Sequence, residues 1–263
     1  AVHEKVKKTR EMGESIDYLT FVPDGEPTLD INLGHEIESL SSLAIKTAVI
    51  SNASLIWRED VREDLMKAHW VCLKVDSADR EGWRRMNRPY GTLRLGSILA
   101  GIVEFAKIYK GDLTTETMLV AGVNDSADHV SKIGDFLARL RPVKAYLSIP
   151  TRPPAEKWVQ PPSEGIIGQA YQILQERIDR VQYLMEYEGN AFAFTGDVVK
   201  DLLGISAVHP MRKDAVQDFL QRAGAHWSIV VSLIAEDQLS ETEHHGQKFY
   251  KRKFPKQSTA NEK

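Results

Sequence analysis

"YLTFVPDGEPTLD", Tyr18 to Asp30, runs strand-favouring residues straight into Pro-Asp-Gly-Glu-Pro. Tyr, Leu, Thr, Phe and Val in one short run read as a strand. Pro23 and Pro27 cannot donate to a ladder and Gly25 favours a turn, so the strand must stop there. A strand end turned this sharply exposes backbone carbonyls and one carboxylate.

Five further runs have the same texture: "IKTAVIS" from Ile45, "WVCLKVD" from Trp70, "TTETMLVAG" from Thr114, "KAYLSIP" from Lys144 and "VQYLMEY" from Val181. Helical patterns lie between them. "LGHEIESLSSL" places Leu33, Ile37 and Leu40 on one face, and "REDVREDLMKAH" does so with Val61, Leu65 and Ala68. "GSILAGIVEFAKIY" aligns Ile98, Ile102 and Phe105, and "HVSKIGDFLARL" aligns Val130, Ile133, Leu137 and Leu140. Apolar residues at such spacings bury one helix face. Alternating strands and helices give an α/β fold, a parallel sheet with helical cover. A partial barrel and a flat doubly wound sheet fit this pattern equally.

The chain has 263 residues, 42% hydrophobic and 27% charged, with a net charge of −3. That balance offers no global attraction to nucleic acid or to an anionic membrane. A single cysteine, Cys72, excludes an internal disulfide and a multi-cysteine metal site within this sequence. It makes the reducing cytoplasm the default location. No apolar run reaches membrane-spanning length, and the charged opening "HEKVKKTREMG" lacks a signal-peptide pattern.

From about Thr195 the texture changes. "TGDVVKDLLGI", "HPMRKDAVQDFLQRAG" and "HWSIVVSLIAEDQLS" read as helices, and "LSETEHHGQKFYKRKF" reads as a hairpin around Gly246. The expected organisation is a barrel over 1–190, a small winged-helix-like domain over 195–254 and a disordered tail over 255–263. Lys248, Lys251, Arg252 and Lys253 cluster at the hairpin, but the acidic "EDQLSETE" precedes them. Nucleic acid and protein therefore both stay open as partners of this module. His244 and His245 lack companions at zinc-ligand spacing.

The C-terminal ends of parallel strands share one rim. Here they carry Gly25, Glu26 and Pro27; Ser51 and Asn52; Lys74 and Asp76; Asn124; and Arg152. Singly, each has a structural reading as a turn, a helix cap or an ion pair. Together they suit a polar ligand bearing an amino acid and a ribose. The proline-rich "PTRPPAEKWVQPPSEG", Pro150 to Gly165, is either a rigid connection or a wall of that site.

"TFVPDGEPTLD" resembles the Gly-Glu-Pro segment of the radical S-adenosylmethionine (SAM) superfamily. "AVISNASL" is similar to that family's Thr-Asn-Gly strand end, and "LKVDS" to its fourth strand. "NRPYG" (Asn87 to Gly91), "LVAGVNDS" (Leu119 to Ser126) and "PTRPP" resemble later segments, with wyosine-type tRNA-modifying relatives as the nearest subgroup. The resemblance spans about Asp17 to Arg152. It implies a partial (β/α)6 barrel, with the strand at Tyr18 standing second. It implies SAM held by Gly25, Glu26, Pro27, Ser51, Asn52, Lys74, Asp76 and Asn124, with Arg88 and Arg152 for an anionic substrate. It implies a 4Fe-4S cluster that reduces SAM to a 5′-deoxyadenosyl radical, a reductant such as flavodoxin or ferredoxin, and an RNA or protein substrate.

One departure is large. The family's Cys-x3-Cys-x2-Cys motif precedes Gly-Glu-Pro, and no cysteine stands there in this sequence. The first strand is missing with it, and the charged opening helix would lead directly into strand two. Joint loss of strand and cysteines, with the rim retained, favours a fragment of an enzyme. The alternative is a cysteine-less, non-catalytic nucleotide-binding or regulatory protein. Neither reading gives this chain a catalytic residue or a metal ligand.

Overall fold

The six apolar runs pair as one parallel sheet whose spatial order is the chain order. They are β1 (Tyr18–Phe21), β2 (Lys46–Ser51), β3 (Trp70–Lys74), β4 (Asp112–Met118), β5 (Lys144–Ser148) and β6 (Val181–Leu184). The helices are α1 (Val2–Glu11), α2 (Leu33–Ser39), α3 (Glu59–Leu65), α4 (Arg80–Asn87), α5 (Leu95–Ile108), α6 (Ala127–Leu140) and α7 (Glu164–Gln175). The computed structural model describes residues 2–22, 25–184, 192, 194–208, 210–244 and 246–253.

Strand order settles the choice that periodicity left open. A doubly wound sheet reverses its order once and carries helices on both faces. Here the order never reverses, so successive right-handed crossovers all turn the same way. The helices between the strands therefore cover a single face, as in a barrel. Side chains alternate across each strand. Val49, Val71, Leu73, Leu113, Ala145 and Leu147 meet the helices in one core with Leu65, Ile102, Phe105, Ile133, Leu137 and Leu174. The other face carries Ala48, Ile50, Trp70, Cys72, Thr114 and Tyr146.

Close approach fixes the helices on that core. A Cβ at Gly101 on α5 would lie 2.6 Å from the carbonyl oxygen of Ile56. Only glycine lets α5 sit this tightly against the turn that follows β2. The caps are local: Asp79 accepts from the Gly82 N–H at 2.9 Å to start α4, and Ser126 from the His129 N–H at 3.3 Å to start α6.

The chain divides into two compact units, Ser15–Tyr187 and Ala1–Glu14 with Glu188–Lys263. The opening helix thus groups with the C-terminal unit, not with the barrel to which the sequence reading of 1–190 gave it. Its Val6 and Thr9 are buried, and Lys5 pairs with the buried Asp201 at 3.6 Å. Amphipathy alone could not say which unit that buried face would meet.

The C-terminal unit continues with α8 (Val198–Val208), β7 (Met211–Arg212), α9 (Lys213–Arg222), α10 (Ser228–Ala235), β8 (Leu239–His244) and β9 (Gln247–Arg252). The three strands form a small antiparallel sheet in the order β7-β9-β8. Helix, strand, two helices and a hairpin is the element order of a winged helix. Met211 and Arg212, expected within a helix, instead form a two-residue strand paired with Tyr250 and Phe249. Two of the cations that cluster at the hairpin are ion-paired: Lys248 meets Glu241 at 2.6 Å, and Lys253 pairs with Asp237. The expected disordered tail, 255–263, and the end of "VQYLMEY" beyond Leu184 lie outside the described residues. Among the residues described, no helix is long and apolar enough to cross a membrane.

Candidate functional site

The rim is built by side chains that tie one strand end to the next. The chain leaves β1 and, after Glu26, forms a single 3-10 turn over Pro27–Leu29 with proline at its first position. Oε1 of Glu26 accepts from the Thr28 N–H at 3.1 Å, the Thr28 hydroxyl at 2.8 Å and the Ser51 hydroxyl at 2.6 Å. Oε2 accepts from the Asn52 N–H at 2.7 Å. An ionised carboxylate has room for about four donors. The protein crowds three donors onto Oε1 and places only one on Oε2, and Glu26 is only 7% exposed. Glu26 is therefore first a clasp between β1 and β2, and only Oε2 keeps acceptor capacity. Ser51 is consumed by the same clasp, since its oxygen also accepts from the Ala53 N–H at 3.0 Å. Ala53 adopts φ 60°, the left-handed region that favours glycine. The glycine of the Thr-Asn-Gly motif would sit there without strain.

A second clasp joins β3 to β4. Oδ1 of Asp76 accepts from the Met118 N–H at 2.9 Å, and Oδ2 accepts from the Asn87 side chain at 3.1 Å. Asn124 donates to the carbonyls of Asp76 and Met118, each at 2.8 Å, and accepts from the Val120 N–H at 2.8 Å. Its exposure is 0%. This corrects the expectation that Asn124 contacts a ligand: its amide is spent on backbone, where a lost partner would be costly.

Lys74 lies on the uncovered face of the sheet, where its ammonium meets Glu116 at 3.0 Å. Ser148 donates to the same carboxylate at 2.9 Å. Burial depresses the Lys74 pKa, but Asp76 and Glu116 outweigh that and hold it above the ordinary lysine value. At Cys72 burial acts in the other direction. Burial pushes its thiol up to about 12, far from a metal-binding thiolate. Among the residues described, no group of three His, Cys, Asp or Glu side chains could hold a metal ion.

A cavity of about 500 Å³ opens beside the first clasp and reaches Asn87 of the second, while Ser51, Asp76 and Asn124 do not line it. Glu26 and Asn52 line it from one side, Asn87 and Arg88 from the other, and Trp57, Trp83 and Tyr90 add aromatic surface. Asn52 is exposed, with Oδ1 held by the Ser54 N–H at 2.9 Å. Arg88 is 63% exposed in its side chain and pairs with Glu156 of the proline-rich loop at 2.5 Å. That loop also accepts from the Ala121 N–H through the Gln160 carbonyl at 2.9 Å, so it does reach the rim. Arg152, half-buried in the loop, does not line this cavity, and neither does Lys74. Of the remaining expected positions, Pro27 is buried in the 3-10 turn and Gly25 is exposed beside it.

Sequence reasoning missed Trp57, Trp83, Asn87 and Glu116. Asn87 opens the quoted "NRPYG", and its distance from Asp76 along the chain hid their bond. Glu116 sits in a threonine-rich strand and lacks any turn signal.

No family model matches the chain. It is 42% identical over 252 residues to the UPF0026 protein of Methanocaldococcus jannaschii, across 95% of this chain and 78% of that protein. Among solved structures it is similar to a radical SAM methyltransferase from Sphaerobacter thermophilus. That match has 17% identity and a TM-score of 0.54, over 70% of this chain and 55% of that one. It is also similar to TYW1 with a lysine-pyruvate adduct bound, at 19% identity and a TM-score of 0.50, over 67% and 60% of the two chains. At these identities the likeness is one of fold: the six-stranded sheet is a partial barrel of the radical SAM kind.

Proposed function

The chain belongs to the UPF0026 family, and we propose that its rim cavity binds S-adenosylmethionine as the SAM-holding part of a radical SAM-type enzyme. The observation that carries this is one aromatic-walled cavity lined by Glu26 and Asn52 of the first clasp and by Asn87, which donates to Asp76 of the second. Its volume lies within the roughly 300–1,000 Å³ usual for small-molecule sites. Oε2 of Glu26 would accept from the ammonium of the methionine moiety. Asn52 and Asn87 present amide groups for the ribose. Trp57, Trp83 and Tyr90 offer flat surface for adenine. Arg88, once released from Glu156, would meet a carboxylate of SAM or of an anionic substrate, and Arg152 is a second candidate for that substrate. Bound SAM supplies a sulfonium whose C–S bond can be broken. The chain's own residues orient that molecule and exclude water from it.

The 4Fe-4S cluster does not fit the residues of this sequence. The one thiol is buried in β3 and protonated, so cluster ligands would have to come from outside it. The reductant and the RNA or protein substrate belong to the same proposal, as does a cytoplasmic setting. The lone buried cysteine favours a second reading, a cysteine-less ligand-binding protein built on the same rim. An iron–sulfur spectrum from the full natural reading frame separates the two.

Calorimetry with SAM tests the site without needing a cluster. Single-site binding by this chain is expected, weakened about fivefold to a hundredfold in Trp83→Ala, since base–aromatic stacking contributes about 1–3 kcal/mol. Absence of binding at millimolar SAM would overturn the reading.

A further inference from the structure

Within the barrel unit the helices pack on one face of the sheet, and the opposite face holds a second cavity of about 630 Å³. It shares no lining residue with the rim cavity. Much of its wall belongs to the other end of the strands: Trp70 begins β3, Asp112 begins β4, Lys144 begins β5 and Arg180 immediately precedes β6. Loops after the strands built the rim; residues at the strand starts build this site.

Its chemistry is specific. Three aromatic rings line it, Tyr18, Trp70 and Tyr146, with the Tyr18 and Trp70 centroids 6.4 Å apart and tilted by 51°. The Lys144 ammonium lies 5.3 Å from the centre of the Tyr146 ring, which already has its cation. Arg180 adds a second positive charge, against the single carboxylate of Asp112. Lys144, Arg180 and Asp112 take part in none of the ion pairs formed among the residues described. Thr114, buried at the back, directs its hydroxyl proton at the Val71 carbonyl 3.4 Å away, which leaves its oxygen as an acceptor. Flat surface with a net positive charge calls for a flat, negatively charged occupant. A cationic ligand would meet two cations at close range.

We propose that this face is a second binding site, taking a small planar aromatic molecule that carries a carboxylate or phosphate. The rings cover its plane, and Lys144 and Arg180 hold its anion by charge-assisted hydrogen bonds.

The test compares 2-naphthoate with the uncharged 2-naphthamide, which share one ring system, by calorimetry and tryptophan fluorescence. Naphthoate is expected to bind about tenfold more tightly than the amide. The double variant Lys144→Gln, Arg180→Gln should erase that difference while its thermal midpoint stays that of the parent. Trp83→Ala, at the rim, should leave naphthoate affinity unchanged. Equal affinity for the two probes, loss of naphthoate binding in Trp83→Ala, or no binding at all would overturn the proposal. SAM calorimetry is read separately, so failure at one cavity does not count against the other.

Discussion

Asn124 shows how far single residues can be read. Its place at a strand end was legible, because the chain must turn after β4 and polar residues collect there. Its role was not, because sequence does not reveal where an amide points. Three hydrogen bonds to backbone make it a brace. Asn124→Ala would strand the Val120 N–H and leave two carbonyls short of a donor. Urea denaturation should show a loss of about 2–4 kcal/mol, given roughly 1–3 kcal/mol for each buried group left unpaired. A loss below about 0.5 kcal/mol would mean that the clasp contributes little. Cys72 gives a prediction in pH. An unfolded thiol ionises near 9, and the folded one near 12. The folded pKa is the raised one, so the full contribution is present below pH 9 and is lost as pH rises toward 12. The slope is about 1.4 kcal/mol per pH unit across that window. Cys72→Ala should flatten that part of the stability–pH curve. An unchanged slope in the variant would assign it to other groups.

At the level of elements, the strands were legible because each is a short apolar run that ends on a turn. The helices between them were legible from apolar spacing. β7 was not, since two residues carry no period and their pairing with β9 is a tertiary fact. Gly101 was silent for a similar reason: its meaning is the distance to Ile56, far away in the chain. Gly101→Ala sets a methyl against backbone, which cannot swing aside as a side chain can. The expected cost is about 1–3 kcal/mol in thermal or urea unfolding. The turn it presses on carries Leu55 and Trp57 of the rim cavity, so SAM affinity should fall in the same variant. Full stability with full affinity would show that α5 does not position that wall.

For the molecule as a whole, the sequence conveyed alternation but not closure. Six strands in chain order with one covered face distinguish a partial barrel from a doubly wound sheet, and that order emerges only on folding. The same holds for α1, which was legible as a charged helix but not in the unit it joins. The candidate site was legible as a rim and not as a cavity: Glu26, Asn52 and Arg88 line it, while Lys74, Asn124 and Arg152 do not. The indoles that give it shape come from helix and loop positions without a turn signal. Everything rests on a sulfonium nucleoside occupying the rim cavity beside Glu26 and Asn87. Crystals of the chain soaked with SAM should show ligand density beside Asn52 and Trp83, with the methionine ammonium at Oε2 of Glu26. Density confined to the opposite face of the sheet, or none in a lattice that leaves the rim open, would refute it.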